Sequence, residues 1–354
     1  MKKAGIMTFH FCDNYGALLQ CYALRHTINT FPDINAEVIN YNPNWSFKEY
    51  ENPVIKKRYL MKLDRFDEFR KDCIGAVSPV IYDDINDAEK YDYYITGSDQ
   101  VWNTSFSFVN EHYFLNFTPD NAKRISYAAS IGLPVDSPKL NRNVFEKYIP
   151  RFDYISLREK THIPFVSQFT DKEVCSVLDP TLLLESDDYD ELCKDASYPD
   201  GDYLFLYFLA HDNSAPLLIN YANMIARKFN LKIVCSLPDI PKRSFKNESE
   251  SAFHYGPKEF VSAIKHAKVV VTNSFHATIF SLLHHTPFFT FLVPSMQSRI
   301  TDILEETGLS DRIIYGYRPL SDDMLDVDFS KADTVLEEKR NESIAFLKKA
   351  RDIE

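Results

Sequence analysis

The run VVVTNSFHATIFSLLHHTPFFTF, residues 269–291, places a histidine where a strand hands over to a helix. Ser274 is the type of residue that caps a helix, because its hydroxyl accepts a bond from an N–H that lacks an intrahelical partner. His276 then falls in the first turn, and Phe275, Ile279 and Leu282 mark the buried face. A helix N-terminus carries orphan N–H groups and a partial positive charge, so an imidazole added there suits a phosphate or a carboxylate. The same residues also fit a histidine that merely packs beside its cap. His284 and His285 come at the other end of the helix, where cations are comfortable, and read as structural.

A second cluster, Gly97-Ser98-Asp99-Gln100-Val101-Trp102-Asn103, follows a strand directly. Gly97 allows a tight turn or the close approach of a ligand. Asp99 is a candidate base, and Gln100 and Asn103 can bond to sugar hydroxyls. The alternative is a capped turn anchored by Trp102. A third cluster is Asn14-Tyr15-Gly16 with Gln20, which also fits a helix cap. In Ser156-Leu157-Arg158-Glu159 a strand delivers an arginine, whose planar fork binds carboxylate or phosphate, or forms a salt bridge to Glu159 or another acid. Arg299 and Arg312 are further candidate cations.

These groups need elements to position them. Ala4–Phe9 is a short apolar run, a helical pattern starts at Ala17, and Glu37–Tyr41 is a second strand, together a βαβ unit with parallel strands. Residues 45–90 are charged and aromatic, with helices and a mobile excursion expected. Strands follow at 92–96, 124–128, 153–157 and 174–178. ESDDYDELCKDASYPDGD is acidic and turn-rich and reads as a link. Strands are then expected at 203–209, 231–236, 268–272 and 287–292. Helices are expected at 215–229, from Pro257, at 274–285, at 298–307 and from Ala332. The fold class is α/β: two Rossmann-like domains facing each other across a cleft. Residues 1–190 form the first domain, 191–330 the second, and 331–354 a helix packing back on the first. In such sheets ligands sit at the carboxyl ends of strands.

The chain has 354 residues, beyond the size at which one core stops growing, which also favours two domains. Its net charge of −11 argues against nonspecific nucleic-acid binding but leaves room for a local anion site. Neither G-x-G-x-x-G nor the P-loop pattern occurs, so phosphate must be held by helix N-termini and side chains. The six cysteines are scattered without a C-x-x-C pair and read as reduced core thiols, with no metal site expected. MKKAGIMTFHF reads as a first strand rather than a signal peptide, and the expected location is the cytoplasm.

Taken in order, GIMTFHFCDNYGALLQCYAL, ITGSDQVWN, ISYAASIG, SLREK, VLDPTLLL, TNSFHATIFSLLHHTPF and SRITDILEETGLSDRI resemble the polysaccharide pyruvyl transferase family, in particular its GSDQVWN-containing branch. The resemblance implies a GT-B-like fold, no cofactor, phosphoenolpyruvate as donor, and a sugar of a polysaccharide or of its lipid-linked precursor as acceptor. The product is a pyruvate ketal. A lipid-linked acceptor would bring the enzyme to the inner face of the membrane without inserting it. In this chemistry the donor is protonated at its methylene carbon, one sugar hydroxyl attacks the adjacent carbon, phosphate leaves, and a second hydroxyl closes the ketal. The roles implied are acid catalysis or phosphate binding for His276 and base or orienting work for Asp99. Ser274, Arg158, Arg299 and Arg312 would bind the donor. Asn14, Tyr15, Gln20, Ser98, Gln100 and Asn103 would bind the acceptor. Many members have arginine two residues before the histidine. Here that position is Ser274, so Arg158, Arg299 or Arg312 would supply the cation.

Two other readings fit the same residues. One is a GT-B-type glycosyltransferase using a sugar nucleotide, for which a sialic-acid-like donor would bring a carboxylate on the reacting carbon. The other is a sugar-binding protein without catalysis.

Overall fold

The computed structural model describes residues 1–43, 48–75, 85, 90–209, 215–238, 240–292, 297–316 and 318–351. In chain order the strands and helices are β1 (Lys2–Met7), α1 (Tyr15–Asn29), β2 (Ile34–Val38), α2 (Pro53–Phe69), β3 (Tyr93–Thr96), β4 (Lys123–Ala129), α3 (Arg142–Tyr148), β5 (Tyr154–Leu157), α4 (Ile163–Val166) and β6 (Val174–Ser176). They continue with α5 (Ser186–Cys193), β7 (Tyr203–Tyr207), α6 (Ala215–Phe229), β8 (Lys232–Cys235), β9 (Ser249–Ser251), α7 (Pro257–Lys265), β10 (Val269–Thr272), α8 (Phe275–Leu283), β11 (Phe288–Phe291), α9 (Gln297–Glu306), β12 (Ile313–Ile314) and α10 (Ser330–Arg351).

The strands form two six-stranded sheets, ordered β2-β1-β3-β4-β5-β6 and β12-β11-β10-β7-β8-β9. Every strand pairing in both is parallel. A parallel sheet is covered on both faces, which is why the strands read as apolar runs. In β1, Ala4 and Ile6 face one core with Leu24 and Ile28 of α1 and Leu347 and Ala350 of α10. Met7 faces the other, built on Trp102, Phe114 and Phe145. The second sheet is likewise packed, with Leu204, Leu206, Val269 and Val271 against Leu218, Ala222 and Ile225 of α6.

The chain divides into two compact units. One comprises Met1–Phe47, Glu68–Leu184 and Glu337–Glu354, the other Lys48–Asp67 and Glu185–Leu336. The division thus falls at Leu184 rather than after residue 190, and residues 48–67, expected in the first domain, belong to the second unit. They are tied there by Tyr59, which stacks on Phe253 at 6.1 Å, and by Arg65, which donates to the His254 carbonyl at 3.1 Å. The excursion expected within 45–90 lies partly at 76–84 and 86–89, outside the described residues. Within the first unit, Ser343 Oγ of α10 accepts from the Leu178 N–H (3.0 Å) and Tyr93 Oη donates to the Arg351 carbonyl (2.8 Å).

The acidic stretch after Leu184 is a helix, α5, rather than a plain link. Asp187 and Asp188 sit in its first turn, where the helix dipole favours them, and the Glu185 N–H donates to Asp188 (2.8 Å). Its buried Tyr189 meets Phe280 of α8 edge-on at 5.0 Å. The six cysteines are free thiols, and burial pushes Cys12 and Cys235 up to about 12. Among the described residues no helix is long and apolar enough to cross a membrane.

At the end of α8, His284 shares a 2.9 Å hydrogen bond with Ser186 of α5. Burial, helped by nearby Lys265, pushes it down from the usual 6.5 to about 4. The folded state therefore resists a proton that the unfolded chain accepts. This contribution is complete above pH 6.5 and declines as pH falls toward 4, in total by about 3 kcal/mol. Urea unfolding at about pH 7.5 and about pH 4.5 should show that difference, and His284→Gln should shrink it by most of its size.

Candidate functional site

Each sheet reverses its strand order once. In the first the reversal lies between β1 and β3, and in the second between β7 and β10. At such a point the two crossovers leave on opposite faces and open a crevice at the carboxyl ends of the strands. The segments around Asn14, Gly97-Ser98-Asp99 and Ser274-Phe275-His276 follow the strands at these two points, whereas Arg158 follows β5 and Arg312 precedes β12.

In the first unit, β1 runs into Thr8 and β3 into Gly97-Ser98-Asp99. The two strand ends are laced together. The Gly97 N–H donates to the Met7 carbonyl (2.9 Å), and Thr8 Oγ1 donates to the Ser98 carbonyl (3.0 Å). Gly97 is required by this approach, since a Cβ there would come within 2.9 Å of the Thr8 Cβ. The partner that comes close is thus the neighbouring strand end. Gln20 of α1 secures Thr8 from beneath, donating to its Oγ1 (2.9 Å) and to the Ala17 carbonyl (2.8 Å).

Asp99 sits at φ +72°, in the left-handed region that side chains seldom adopt. Its backbone bridges to Ala129, and the Gln100 N–H donates to its own carboxylate (2.8 Å). The carboxylate is only partly covered. Behind it lies a buried ionic cluster. Arg158 Nη1 donates to Asp179 Oδ2 at 2.8 Å, and its guanidinium lies 3.7 Å from Glu159 and 3.9 Å from Asp99. Ser98 Oγ donates to the same Asp179 oxygen (3.0 Å), and Ser130 Oγ to Glu159 (2.5 Å). Burial pulls the Arg158 pKa down, but the three carboxylates, Asp179 foremost, more than offset this and hold it above its ordinary value. The cluster is a fixed cation among fixed anions.

This geometry revises several expectations. Arg158, expected to bind the donor, has a side chain only 3% exposed and is paired with carboxylates of the chain itself. Tyr15, Gln20, Ser98 and Asn103, expected to bind the acceptor, are buried. Asn103 donates to Gln100 Oε1 (2.8 Å), and the buried Trp102 donates to the Tyr113 carbonyl (3.2 Å). Asn14 is exposed and caps α1, accepting from the Ala17 N–H at 3.2 Å. Asp99, Gln100 and Asn14 remain as groups that reach solvent. Thr8, Ser130 and Asp179 were not singled out beforehand, whereas the pairing of Arg158 with Glu159 was among the readings of the sequence. Asp179 stands before Pro180 and Thr181 and caps the short turn they begin, accepting from the Thr181 N–H (3.1 Å), a signal readable in Asp-Pro-Thr.

In the second unit, Asn273 ties the reversal point together. Its side chain accepts from the Leu209 N–H (2.7 Å) and donates to the Leu209 carbonyl (3.2 Å), joining the end of β10 to the chain leaving β7. Ser274 caps α8, with its hydroxyl accepting from the Ala277 N–H at 3.4 Å. His276 lies in the first turn, edge-on to Phe275 at 5.2 Å. Arg299 of α9 places its guanidinium 5.9 Å from the ring of Phe275, the first residue of α8. Arg312 is elsewhere in its bonding: it pairs with Asp311, donates to the Met324 carbonyl (2.9 Å) and lies over Phe289. These bonds tie it to the segment around Met324. Among the described residues no group of three His, Cys, Asp or Glu side chains could hold a metal.

The sequence model of the polysaccharide pyruvyl transferase family matches residues 14–294, which takes in the reversal between β7 and β10 and, of the first reversal, the β3 end with Gly97-Ser98-Asp99. The chain belongs to this family. Arg299 lies just beyond the matched stretch. No characterised protein matches the chain in sequence. Among solved structures, UDP-GlcNAc 2-epimerase from Methanocaldococcus jannaschii is similar at a TM-score of 0.50 and 12% identity, over 98% of this chain and 92% of that one. UDP-GlcNAc 2-epimerase from Neisseria meningitidis, bound to UDP-GlcNAc, is similar at 0.50 and 9% identity, over 100% and 95%. The family member described here has the α/β, GT-B-like class of fold expected of its sequence, with two Rossmann-like units.

Removing the cation from the ionic cluster would strand three buried or half-buried carboxylates. Arg158→Met should therefore lower stability by about 3–5 kcal/mol, and adding Asp179→Asn should recover part of the loss. Denaturant unfolding of the single and double variants checks this. A donor-binding arginine would instead leave stability intact and change only ligand affinity.

Proposed function

We propose that the protein transfers pyruvate from phosphoenolpyruvate to a sugar of a cell-surface polysaccharide or of its lipid-linked precursor, forming a ketal. The observation that carries this reading is family membership across residues 14–294, with His276 and Asp99 both inside the matched stretch. The N-terminus of α8 has the character a donor needs. Orphan N–H groups, the helix dipole, the His276 imidazole and the Arg299 guanidinium together favour a phosphate or a carboxylate. Arg299 takes the part of the arginine that many family members carry at the position of Ser274. His276 holds the phosphate or delivers the proton to the methylene carbon.

In the first unit, Asp99 is the candidate to accept the proton of a sugar hydroxyl, and Gln100 and Asn14 also reach solvent and can bond to hydroxyls. The balance closes without a cofactor. The first hydroxyl forms a C–O bond to the central carbon, the C–O bond to phosphate breaks, and the second hydroxyl closes the ring. Of the two hydroxyl protons, one is matched by the new methyl hydrogen and the other leaves on inorganic phosphate. Oriented donors and a positioned base are the means available for such a charged transition state.

A sugar-nucleotide donor is the second reading, favoured by the strand order β12-β11-β10-β7-β8-β9, which places nucleotides in related α/β sheets at the same reversal. Thermal unfolding with phosphoenolpyruvate, and separately with a panel of sugar nucleotides, distinguishes them. At about 100 times its dissociation constant a ligand stabilises the native state by about 2.7 kcal/mol. The expected result is a rise of a few degrees with phosphoenolpyruvate that is lost in His276→Ala and in Arg299→Ala. A rise with a sugar nucleotide alone would overturn the donor assignment.

A further inference from the structure

We infer that the outer face of α2 docks the protein on an anionic lipid surface. Three of the large apolar side chains that stand exposed on the described molecule fall within eight residues of this helix: Val54 (60% exposed), Leu60 (50%) and Met61 (39%). At 3.6 residues per turn, Val54, Lys57, Leu60 and Met61 share an arc of about 120°. Lys56 and Arg58 flank that arc. Lys56 and Lys57 are exposed and Arg58 is half-buried. Residues 53–63, PVIKKRYLMKL, hold four basic residues and no acid, in a chain whose net charge is −11.

The inner face explains why the outer one is not simply core. Tyr59 and Phe66 are buried, Tyr59 stacks on Phe253, and Lys62 lays its amine over Phe253 at 5.7 Å and Phe66 at 5.1 Å. Arg65 turns inward to the His254 carbonyl and to Glu259 at 3.5 Å. The helix is thus held by one face, and the other presents apolar side chains interleaved with lysines. That pairing suits the boundary of a bilayer, where apolar groups enter the headgroup region and amines meet lipid phosphate. Acids bound the patch, with Glu49 and Glu51 before it and Asp64 after, so binding is local, reversible and salt-sensitive. The inference is independent of which donor the protein uses.

The test is co-sedimentation of the full chain with vesicles of phosphatidylcholine alone, and with vesicles in which roughly one third of the lipid is phosphatidylglycerol. The protein should pellet with the anionic vesicles at low salt, stay in solution with the neutral ones, and be released as salt is raised. Lys56→Glu with Lys57→Glu, and separately Leu60→Ser with Met61→Ser, should each lower the bound fraction at least roughly tenfold. Both pairs are exposed, so an unchanged unfolding midpoint should accompany the loss. No binding to anionic vesicles overturns the inference, and is the result a patch built for an acidic protein would give. Equal binding to neutral vesicles, or binding that survives both double variants, overturns it as well.

Discussion

The reversal of strand order within each parallel sheet is the constraint on which the site depends. Elsewhere in a parallel sheet, successive crossovers pack side by side and close the carboxyl edge. Where the order turns back, they part to opposite faces. Both units contain one such place, and in both the chain arrives with small or polar residues: Thr8 and Gly97-Ser98 in the first, Asn273-Ser274 in the second. The hydrogen bonds found there run strand end to strand end, which keeps the crevice floor rigid. A glycine at 97 and an asparagine at 273 serve the same end by different means. One removes bulk so that backbones can approach, and the other supplies a side chain that pairs with a whole peptide unit.

The ionic cluster beneath Asp99 follows from that floor. A side chain held at a left-handed backbone position must be held by something stiffer than solvent. The bridge to Ala129 holds its main chain, and the positive field of Arg158 lies behind its carboxylate. Arg158 is in turn fixed by Asp179 and Glu159, which are themselves fixed by Ser98 and Ser130. Such an arrangement contributes little net stability compared with an apolar core, because desolvating the charges costs about as much as their attraction returns. What it contributes is placement.

The sequence was legible where one pattern had one physical cause. The α6 helix is found at 215–229 as its apolar periodicity requires, and the strands delivering Asp99, Arg158 and His276 lie within a residue or two of their expected bounds. The second strand was read too late, at 37–41 instead of 34–38. It is an edge strand with alternating burial, and the apolar pair Val38-Ile39 drew the expectation toward the wrong end. β9, with only polar residues, and β12, with two, carry too little pattern to see. Side-chain roles were least legible. Ser98, Gln20 and Asn103 have the types that bind sugars, yet types do not reveal direction, and each turns inward to satisfy a buried partner. Arg158 shows the same limit: an arginine after a strand looks alike whether its counter-ions come from a ligand or from a turn twenty residues on.

The exchange of residues 48–67 into the second unit has a consequence for how the protein is made. Arg65 emerges from the ribosome 189 residues ahead of His254, whose carbonyl it binds. At bacterial-like synthesis rates of about 5–20 residues per second, α2 waits roughly 10–40 seconds for the surface that covers its inner face. The first unit waits longer still, because Leu347 and Ala350 of its core come at the very end of the chain. The first unit thus finishes after the second, whose last residue precedes its final segment, and the exposed aromatic face of α2 during its own wait is where a chaperone would have most to do.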